Sequence, residues 1–118
     1  MRGKVLLVDD DVFVKEILSL MLADSEFDVI EAEDGKEAVE MFFEQKPDVV
    51  LMDIVMPKMS GIDATKEILK VVPEAVILAI TAFSPRKGKD MLEAGAKEII
   101  SKPITRGKLV ETIKKYMR

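Results

Sequence analysis

The sequence predicts an α/β fold: a doubly wound sheet of five parallel strands in the order 2-1-3-4-5, with helices on both faces. Short aliphatic runs alternate five times with segments of helical period, and parallel strands require such helical crossovers. Two of the runs, Val5–Val8 and Val49–Met52, are continuously apolar, which is typical of strands buried on both faces. Right-handed crossovers favour this order, with a switch point between strands 1 and 3. The length of 118 residues suits one domain, residues 1–118.

The first half of the chain divides into three strands and two helices. The second helix begins at an N-cap, Asp34, with Glu37 three residues later at the spacing of a capping box. Acidic residues interrupt the second strand, whereas the third is strongly apolar. The elements predicted here are a strand at Lys4–Val8, a helix at Val12–Ala23, a strand at Asp28–Ala32, a helix from Asp34 to about Gln45 and a strand at Asp48–Met52.

The second half divides into three helices and two strands. Ser60, followed by Asp63, predicts the N-cap of the third helix, and Ser84 with Pro85 supplies the N-cap and first position of the fourth. Gly95 then predicts the end of that fourth helix. The elements predicted here are a helix from Ser60 that ends before Pro73, a strand at Val76–Thr81, a helix from Ser84 to Gly95, a strand at Glu98–Ser101 and a helix at Thr105–Met117.

The composition excludes several classes of chemistry. The chain has no cysteine and no histidine. Their absence excludes disulfides, thiolate metal sites, Ser-His-Asp triads and phosphorylation of a histidine in this chain. Any metal must therefore be held by oxygen atoms, which favours Mg²⁺, Ca²⁺ or Mn²⁺. The chain also lacks asparagine, has one glutamine and is rich in Lys and Glu, a composition typical of thermophile proteins.

The distribution of charge bears on partners and location. The net charge of −4 gives no reason to expect that this domain alone binds nucleic acid. From residue 84 onward, however, ten basic side chains stand against four acidic ones, and such a face is either simply solvated or steers an acidic partner. No apolar run spans a membrane, and Met1–Lys4 leads into a strand and not into a signal peptide. We therefore expect a cytoplasmic protein that does not bind membranes.

Acidic residues follow two strands that the predicted order makes neighbours. Asp9, Asp10 and Asp11 follow strand 1, and Asp53 follows strand 3. Ligands of such sheets bind at the carboxyl ends of the strands, so these carboxylates should share one crevice and repel each other. A divalent cation relieves that repulsion, and an all-oxygen site suits Mg²⁺. The alternative is that the Asp run only caps the first helix, but one Asp is enough for a cap.

A hydroxyl and an ammonium are predicted beside the same carboxylates. Strand 4 ends in Thr81, and strand 5 is followed by Lys102 and Pro103. Carboxylate, divalent metal, hydroxyl and ammonium together are what phosphoryl transfer to an oxygen nucleophile requires, since the cations offset the spreading charge. Asp53 is the best candidate for the nucleophile because it follows the most apolar, central strand.

In this arrangement the whole chain resembles the receiver domain of two-component response regulators, in a single-domain, chemotaxis-regulator-like form. The resemblance implies the flavodoxin-like (βα)5 fold. A lone Asp pair would be a weak signal, but all the motifs occur in order at the expected strand ends. The matching segments are Val8-Asp9-Asp10, the run from Met52 to Gly61, Thr81-Ala82, and Ala94-Gly95-Ala96 leading to Ser101-Lys102-Pro103.

The resemblance implies a role for each site residue. Asp53 would accept a phosphoryl group from the phosphohistidine of a sensor histidine kinase. Mg²⁺, or Mn²⁺ in its place, would be held by Asp9, Asp10, Asp53 and the backbone carbonyl of Val55. Thr81 and Lys102 would contact the phosphoryl oxygens, and the bond from Lys102 to its proline would be cis, which can aim the lysine inward. The chain would catalyse its own phosphorylation and slow dephosphorylation but act mainly as a signalling switch.

The resemblance also implies how phosphorylation is read out. Thr81 would move toward the phosphoryl group together with a residue on strand 5, which is usually aromatic and here is Ile99. The output surface would be the fourth helix, fifth strand and fifth helix, and its basic excess predicts an acidic patch on a downstream output or phosphotransfer protein. Two positions that tune phosphoryl lifetime are Val55 and Phe83, both apolar and unable to orient an attacking water. The basic residues of this surface include Arg86, Lys87, Lys89, Lys97, Arg106 and Lys108.

The first helix offers a second surface, for the kinase. Its apolar residues cover more of the helix than a core stripe of roughly 100°. Phe13, Val14 and Ile17 lie in its first turns, where the family docks the helical bundle of the kinase. Together with Pro103 and Ile104 they are predicted to form an apolar ring around the acidic pocket.

Other interpretations share parts of this pattern. A flavodoxin-like electron carrier needs a phosphate-binding loop after strand 1, where the Asp run would repel a flavin phosphate. A small aspartyl-phosphate phosphohydrolase of the haloacid-dehalogenase type needs a second Asp where Val55 stands. The receiver itself is a stand-alone regulator, a phosphorelay intermediate or a detached receiver domain of a multidomain transcription factor. We expect it to be a monomer.

Overall fold

Strands and helices alternate strictly along the chain, as the sequence predicts. The structure is a computed structural model that describes residues 3–23, 26–56, 58–81 and 85–117. The elements are β1 (Gly3–Val8), α1 (Val12–Leu22), β2 (Phe27–Ala32), α2 (Gly35–Gln45), β3 (Val49–Asp53), α3 (Gly61–Val71), β4 (Ile77–Thr81), α4 (Pro85–Ala94), β5 (Glu98–Ser101) and α5 (Arg106–Lys114).

The five strands form one parallel sheet in the order β2-β1-β3-β4-β5, which confirms the predicted topology. Most element ends fall within one or two residues of their predicted positions. The exception is α5, which ends at Lys114 and not at Met117. Beyond Lys114 the backbone tightens into a turn, in which the N–H of Tyr116 donates to the carbonyl of Ile113 at 3.0 Å.

Side-chain caps begin most of the helices. Asp34 accepts the backbone N–H of Glu37 at 2.8 Å, and Ser60 accepts that of Asp63 at 3.2 Å, so both predicted N-caps are confirmed. Thr105 caps α5 in the same way. The predicted N-cap Ser84 lies outside the described residues. Because these caps fix where each helix begins, they also fix the short loops that join the strand ends to the helices.

Apolar side chains cover both faces of the sheet. Leu6 and Val8 of β1 face a core shared with α2, α3 and α4, whereas Val5 and Leu7 face a core shared with α1 and α5. The residues of β1, β3 and β4 inside these cores are almost completely inaccessible to solvent, which accounts for their continuously apolar sequence. None of the helices in the described parts of the chain has the length and apolar character needed to cross a membrane.

The glycine in the first turn of α5, Gly107, gives a direct test of local packing. A Cβ at this position would have no atom within 4 Å. Gly107→Ala should therefore raise the free energy of unfolding by about 0.5 to 1 kcal/mol, because alanine restricts the unfolded chain and favours the helix. Urea denaturation measures this change. A destabilised variant would contradict the open environment seen at Gly107.

Candidate functional site

The carboxyl ends of β1 and β3 place acidic side chains at one edge of the sheet. Val8 is paired with Met52, so the residues that follow, Asp9 and Asp53, leave neighbouring strands at the same level. One carboxylate oxygen from each of Asp9, Asp10 and Asp53 lies within 4.8 Å of the other two. The structure thus brings together the three carboxylates that the sequence suggests as ligands of a metal.

Asp11 has a different role from its two acidic neighbours. Its Oδ1 accepts the backbone N–H of Phe13 at 2.9 Å and that of Val14 at 3.3 Å, and it is the N-cap of α1. Capping of the helix therefore accounts for one Asp of the run. Asp9 and Asp10 are not needed for the cap and lie in the acidic cluster instead.

Burial and mutual repulsion dominate the electrostatics of the cluster. Burial raises the pKa of Asp53 to about 6, and the negative charge of Asp9 contributes in the same direction. Burial also raises the pKa of Asp9. Backbone N–H groups partly offset this: that of Ile54 donates to Asp53 Oδ1 and that of Asp11 donates to Asp9 Oδ1, both at 2.8 Å. The site therefore favours any cation that can reach these oxygens.

A divalent cation fits this donor set. The three carboxylates at this edge of the sheet form an all-oxygen site. Mg²⁺ prefers such ligands, few in number and completed by several retained waters. The Asp10 side chain is exposed, whereas Asp9 is buried, so an ion here would have a protein side and a solvent side. The fit rests on the closeness and partial desolvation of the carboxylates.

Thr81 and Lys102 border the same edge from β4 and β5. Thr81 is the last residue of β4 and is buried, and its carbonyl accepts the backbone N–H of Lys102 at 2.9 Å. The positive charge of Lys102 lowers the pKa of both Asp9 and Asp53, which places its ammonium within electrostatic reach of the cluster. The peptide bond from Lys102 to Pro103 is cis, as the resemblance implies.

Two further site residues of the sequence analysis differ in their surroundings. Val55 is 57% exposed, and its apolar side chain offers no ligand atom, so a metal could use only its backbone carbonyl. Ile99 is half-buried and packs against the core under α4, close to Gly88. Because Ile99 pairs with Ala79, it lies on the same face of the sheet as Thr81. Phe83, the second apolar residue at the positions that tune the lifetime of the phosphoryl group, lies outside the described residues. Pro57 and Ala82, which belong to the segments that resemble receiver domains, also lie outside them.

The apolar residues suggested for partner binding surround a cleft between α1 and the loop after β5. The cleft has a volume of about 190 Å³ and is lined by Val14, Ile17, Leu18, Met21, Lys102, Pro103 and Ile104. Phe13 stands outside the cleft on the solvent side of α1, with 76% of its surface exposed. Leu20 is one of the apolar residues that make this helix wider than a core stripe, but it is not among the predicted partner-binding residues; it is 68% exposed and continues the stripe of Phe13 and Ile17. The i, i+4, i+7 spacing of this stripe is the signal that could have found it.

The sequence analysis also missed the glycines that support the site. A Cβ on Gly61 would lie 2.1 Å from the carbonyl oxygen of Asp53, and a Cβ on Gly35 would lie 2.1 Å from that of Met59. Both contacts involve the loop that joins β3 to α3. Without a tertiary structure, neither glycine could be told apart from an ordinary turn residue.

Comparison with known proteins gives consistent matches over the whole chain. The family model of the response regulator receiver domain matches residues 5–114. The chemotaxis protein CheY of Thermotoga maritima is 42% identical over 120 residues, covering 100% of both chains. The CheY of Bacillus subtilis is 39% identical, covering 99% of both chains. A solved receiver domain of a sensor histidine kinase from Pseudomonas aeruginosa, with a magnesium ion coordinated in the active site cleft, has a TM-score of 0.91 at 28% identity and 98% coverage of both chains.

The burial of the Asp53 carboxylate, together with its repulsion by Asp9, predicts that removing the charge of Asp53 stabilises the fold. The pKa of Asp53 is about 6 in the folded chain and 3.8 without its surroundings, so stability falls as pH rises through this interval and stays reduced above it. At pH 7.5 with a chelator, Asp53→Asn should raise the free energy of unfolding by about 1 to 2 kcal/mol, after allowance for solvent screening. Millimolar MgCl₂ should stabilise the wild type but not the variant. Urea denaturation measures both effects.

The matched control is Asp90→Asn, which removes an exposed carboxylate on α4. This variant should respond to MgCl₂ as the wild type does. If Asp53→Asn has a lower free energy of unfolding than the wild type in chelator, the ionised Asp53 carboxylate does not destabilise the fold.

Proposed function

The chain belongs to the family of response regulator receiver domains, and on that premise we propose that Asp53 accepts a phosphoryl group from the phosphohistidine of a sensor histidine kinase. The observation that supports this most directly is the position of Asp53. Its carboxylate lies at the end of the central strand and is partly buried. It belongs to the acidic cluster and is within electrostatic reach of the positive charge of Lys102. The chain has no histidine, so the donor phosphohistidine belongs to another protein.

In the transfer, a carboxylate oxygen of Asp53 attacks phosphorus while the bond from phosphorus to the imidazole nitrogen breaks. One oxygen–phosphorus bond forms, and the electron pair of the broken bond stays on the donor imidazole. The Ile54 N–H holds Asp53 Oδ1 at 2.8 Å and so restricts the rotation of the carboxylate before the attack. Restricting the nucleophile in this way lowers the entropic part of the barrier.

Asp9, Asp10 and Asp53 would hold Mg²⁺, or Mn²⁺ in its place, together with the backbone carbonyl of Val55. When bound, the ion supplies positive charge that offsets the charge of the phosphoryl oxygens. Lys102 supplies a second positive charge from β5, and the Thr81 hydroxyl offers a donor from β4. The ion, the ammonium that follows β5 and the hydroxyl at the end of β4 would thus surround the phosphoryl group.

The acyl phosphate formed on Asp53 would be long-lived. Its hydrolysis needs a group that orients a water, and the residue two positions after Asp53 is Val55, whose side chain is apolar. Slow self-dephosphorylation makes the chain a switch whose state persists. It is therefore a signalling protein that modifies itself and not a metabolic enzyme.

The switched surface would be formed by α4, β5 and α5. A phosphoryl dianion near Thr81 attracts its hydroxyl, and Ile99 on the same face of the sheet would occupy the space left behind. This surface exposes more basic than acidic side chains, which favours an acidic patch on the output or phosphotransfer partner. The exposed basic residues include Arg86, Lys87, Lys89, Lys97, Arg106 and Lys108.

The cleft between α1 and the loop after β5 would receive the kinase. Val14, Ile17, Pro103 and Ile104 line it, and Lys102 belongs both to its wall and to the surroundings of Asp53. A helix of the kinase seated there would bring its phosphohistidine to the acidic cluster. Phe13, exposed beside the cleft, would pack against the same helix.

Phosphotransfer from candidate kinases tests the site of modification. With MgCl₂ present, a radiolabelled kinase should label the wild type and Asp90→Asn but not Asp53→Asn, because only the last variant lacks the nucleophile. The label should be lost slowly, over many minutes or longer. Labelling of Asp53→Asn at the wild-type rate would place the phosphoryl group elsewhere, and loss of label within seconds would contradict the persistent state.

Paired aromatic truncations test the kinase surface. Phe13→Ala should lower the kcat/KM of phosphotransfer from the cognate kinase by about tenfold, the loss typical of an exposed aromatic anchor at an interface. The matched control is Phe43→Ala on α2, another partly exposed phenylalanine, which should leave transfer unchanged. Phosphorylation by acetyl phosphate should be the same in all three proteins. Unchanged transfer to Phe13→Ala would reject this surface.

A further inference from the structure

The loop that joins β3 to α3 is described at residues 54–56 and 58–60, and its residue Met59 contacts the first turn of α2. The backbone N–H of Gly35 donates to the carbonyl oxygen of Met59 at 3.1 Å. The approach is very close, since a Cβ on Gly35 would lie 2.1 Å from that oxygen and 2.7 Å from the carbonyl carbon of Met59. Both atoms belong to the backbone, so a change of side-chain rotamer cannot relieve the overlap.

The same loop is held at its other end against β3. The N–H of Gly61 donates to the carbonyl of Ile54 at 2.8 Å. A Cβ on Gly61 would lie 2.1 Å from the carbonyl oxygen of Asp53 and 3.0 Å from the Cα of Ile54. The loop is therefore held by backbone contacts at two glycines and by the buried side chains of Ile54 and Met56, and the exposed Val55 lies among these supports.

An ion pair supports the contact at α2 but contributes less. Lys58 Nζ lies 3.5 Å from Asp34 Oδ2, and the lysine side chain is 71% exposed. The Asp34 side chain is only 8% exposed, but solvent around the Lys58 ammonium screens the attraction between the two charges. Lys58 also has a φ of 68°, a left-handed conformation that a non-glycine residue adopts only when its neighbours support it. The backbone contact at Gly35 is therefore the stronger constraint on the loop.

We propose that Gly35 is a positioning residue whose contact with Met59 sets the place of the Val55 backbone beside Asp9 and Asp53, and thereby the affinity of the site for Mg²⁺. The inference rests on the proposed function, in which the carbonyl of Val55 is one of the ligands. Gly35 itself does not belong to the acidic cluster and would act only through the loop.

An alanine at position 35 shows what this contact controls. Its methyl group would require the Met59 backbone to move away by roughly 1 Å. Ile54 is not free to move with Met59, because its carbonyl accepts the N–H of Gly61. The displacement therefore falls on the residues between, which include Val55. Changes to groups that orient metal ligands typically weaken metal binding by about 10- to 100-fold.

Isothermal titration calorimetry with MgCl₂ tests the proposal on three proteins: the wild type, Gly35→Ala and Gly107→Ala. Gly107 also lies in the first turn of a helix but has open space around it, so it is the matched control for the same substitution. We expect the Kd for Mg²⁺ to rise at least tenfold in Gly35→Ala and to stay unchanged in Gly107→Ala. An unchanged Kd in folded Gly35→Ala would overturn the proposal.

Thermal denaturation in chelator separates positioning from a purely structural role. A structural role alone would lower the Tm of Gly35→Ala and leave the Kd of the folded protein unchanged. If far-UV circular dichroism shows that Gly35→Ala does not fold, amide hydrogen exchange of the wild type decides the question. Because coupling between two sites is reciprocal, saturating MgCl₂ should slow exchange of the Gly35 N–H, which donates to Met59, by about twofold or more. The N–H of Lys46, at the other end of α2, is the control and should exchange at the same rate with and without MgCl₂. An unchanged rate at Gly35 would overturn the proposal.

The titration also distinguishes failure of this inference from failure of the proposed function. Wild-type protein that gives no heat with MgCl₂ would contradict the metal requirement and this inference with it. If the wild type binds Mg²⁺ and Gly35→Ala binds it with the same Kd, only the role of Gly35 is contradicted.

Discussion

Asp9 and Asp53 lie at the ends of two hydrogen-bonded neighbouring strands, where burial and their mutual repulsion both oppose ionisation. Without a metal ion, this arrangement destabilises the folded protein, and neighbouring donors and charges reduce the destabilisation. Backbone N–H groups donate to one oxygen of each carboxylate, and Lys102 adds a positive charge from β5. The remaining deficit of positive charge is what makes the site suitable for a cation.

The buried sheet holds these carboxylates close together despite their repulsion. Strands covered by apolar cores on both faces have a register that side-chain rearrangement cannot easily shift. The loop after β3 is supported in two ways. The side chains of Ile54 and Met56 are buried in the core shared with α2, α3 and α4, and close backbone contacts occur at Gly35 and Gly61. Rigidity at the site therefore comes from side-chain packing in the strands and from both packing and backbone contact in the loop.

The site lies between two surfaces of opposite character. On one side, α1 and the loop after β5 form an apolar cleft that shares Lys102 with the acidic cluster. On the other, α4, β5 and α5 expose more basic than acidic side chains. An apolar surface favours tight packing of a helix, whereas a charged surface speeds encounter and is sensitive to salt. This difference suits the proposed division between a kinase that delivers the phosphoryl group and a partner that responds to it.

The sequence by itself determined the α/β class, the strand order, most element ends and the Asp9, Asp10 and Asp53 cluster. These follow from local periodicity and from the rule that parallel strands end at one edge, both of which can be read along the chain. The tertiary structure decided which Asp of the run caps α1, and showed that Leu20 is exposed and that α5 ends at Lys114. It alone decided the roles of Gly35 and Gly61. The physical reason is that exposure depends on what packs against a residue, and a glycine shows no pattern until a neighbouring backbone lies within 3 Å of the place where its Cβ would be.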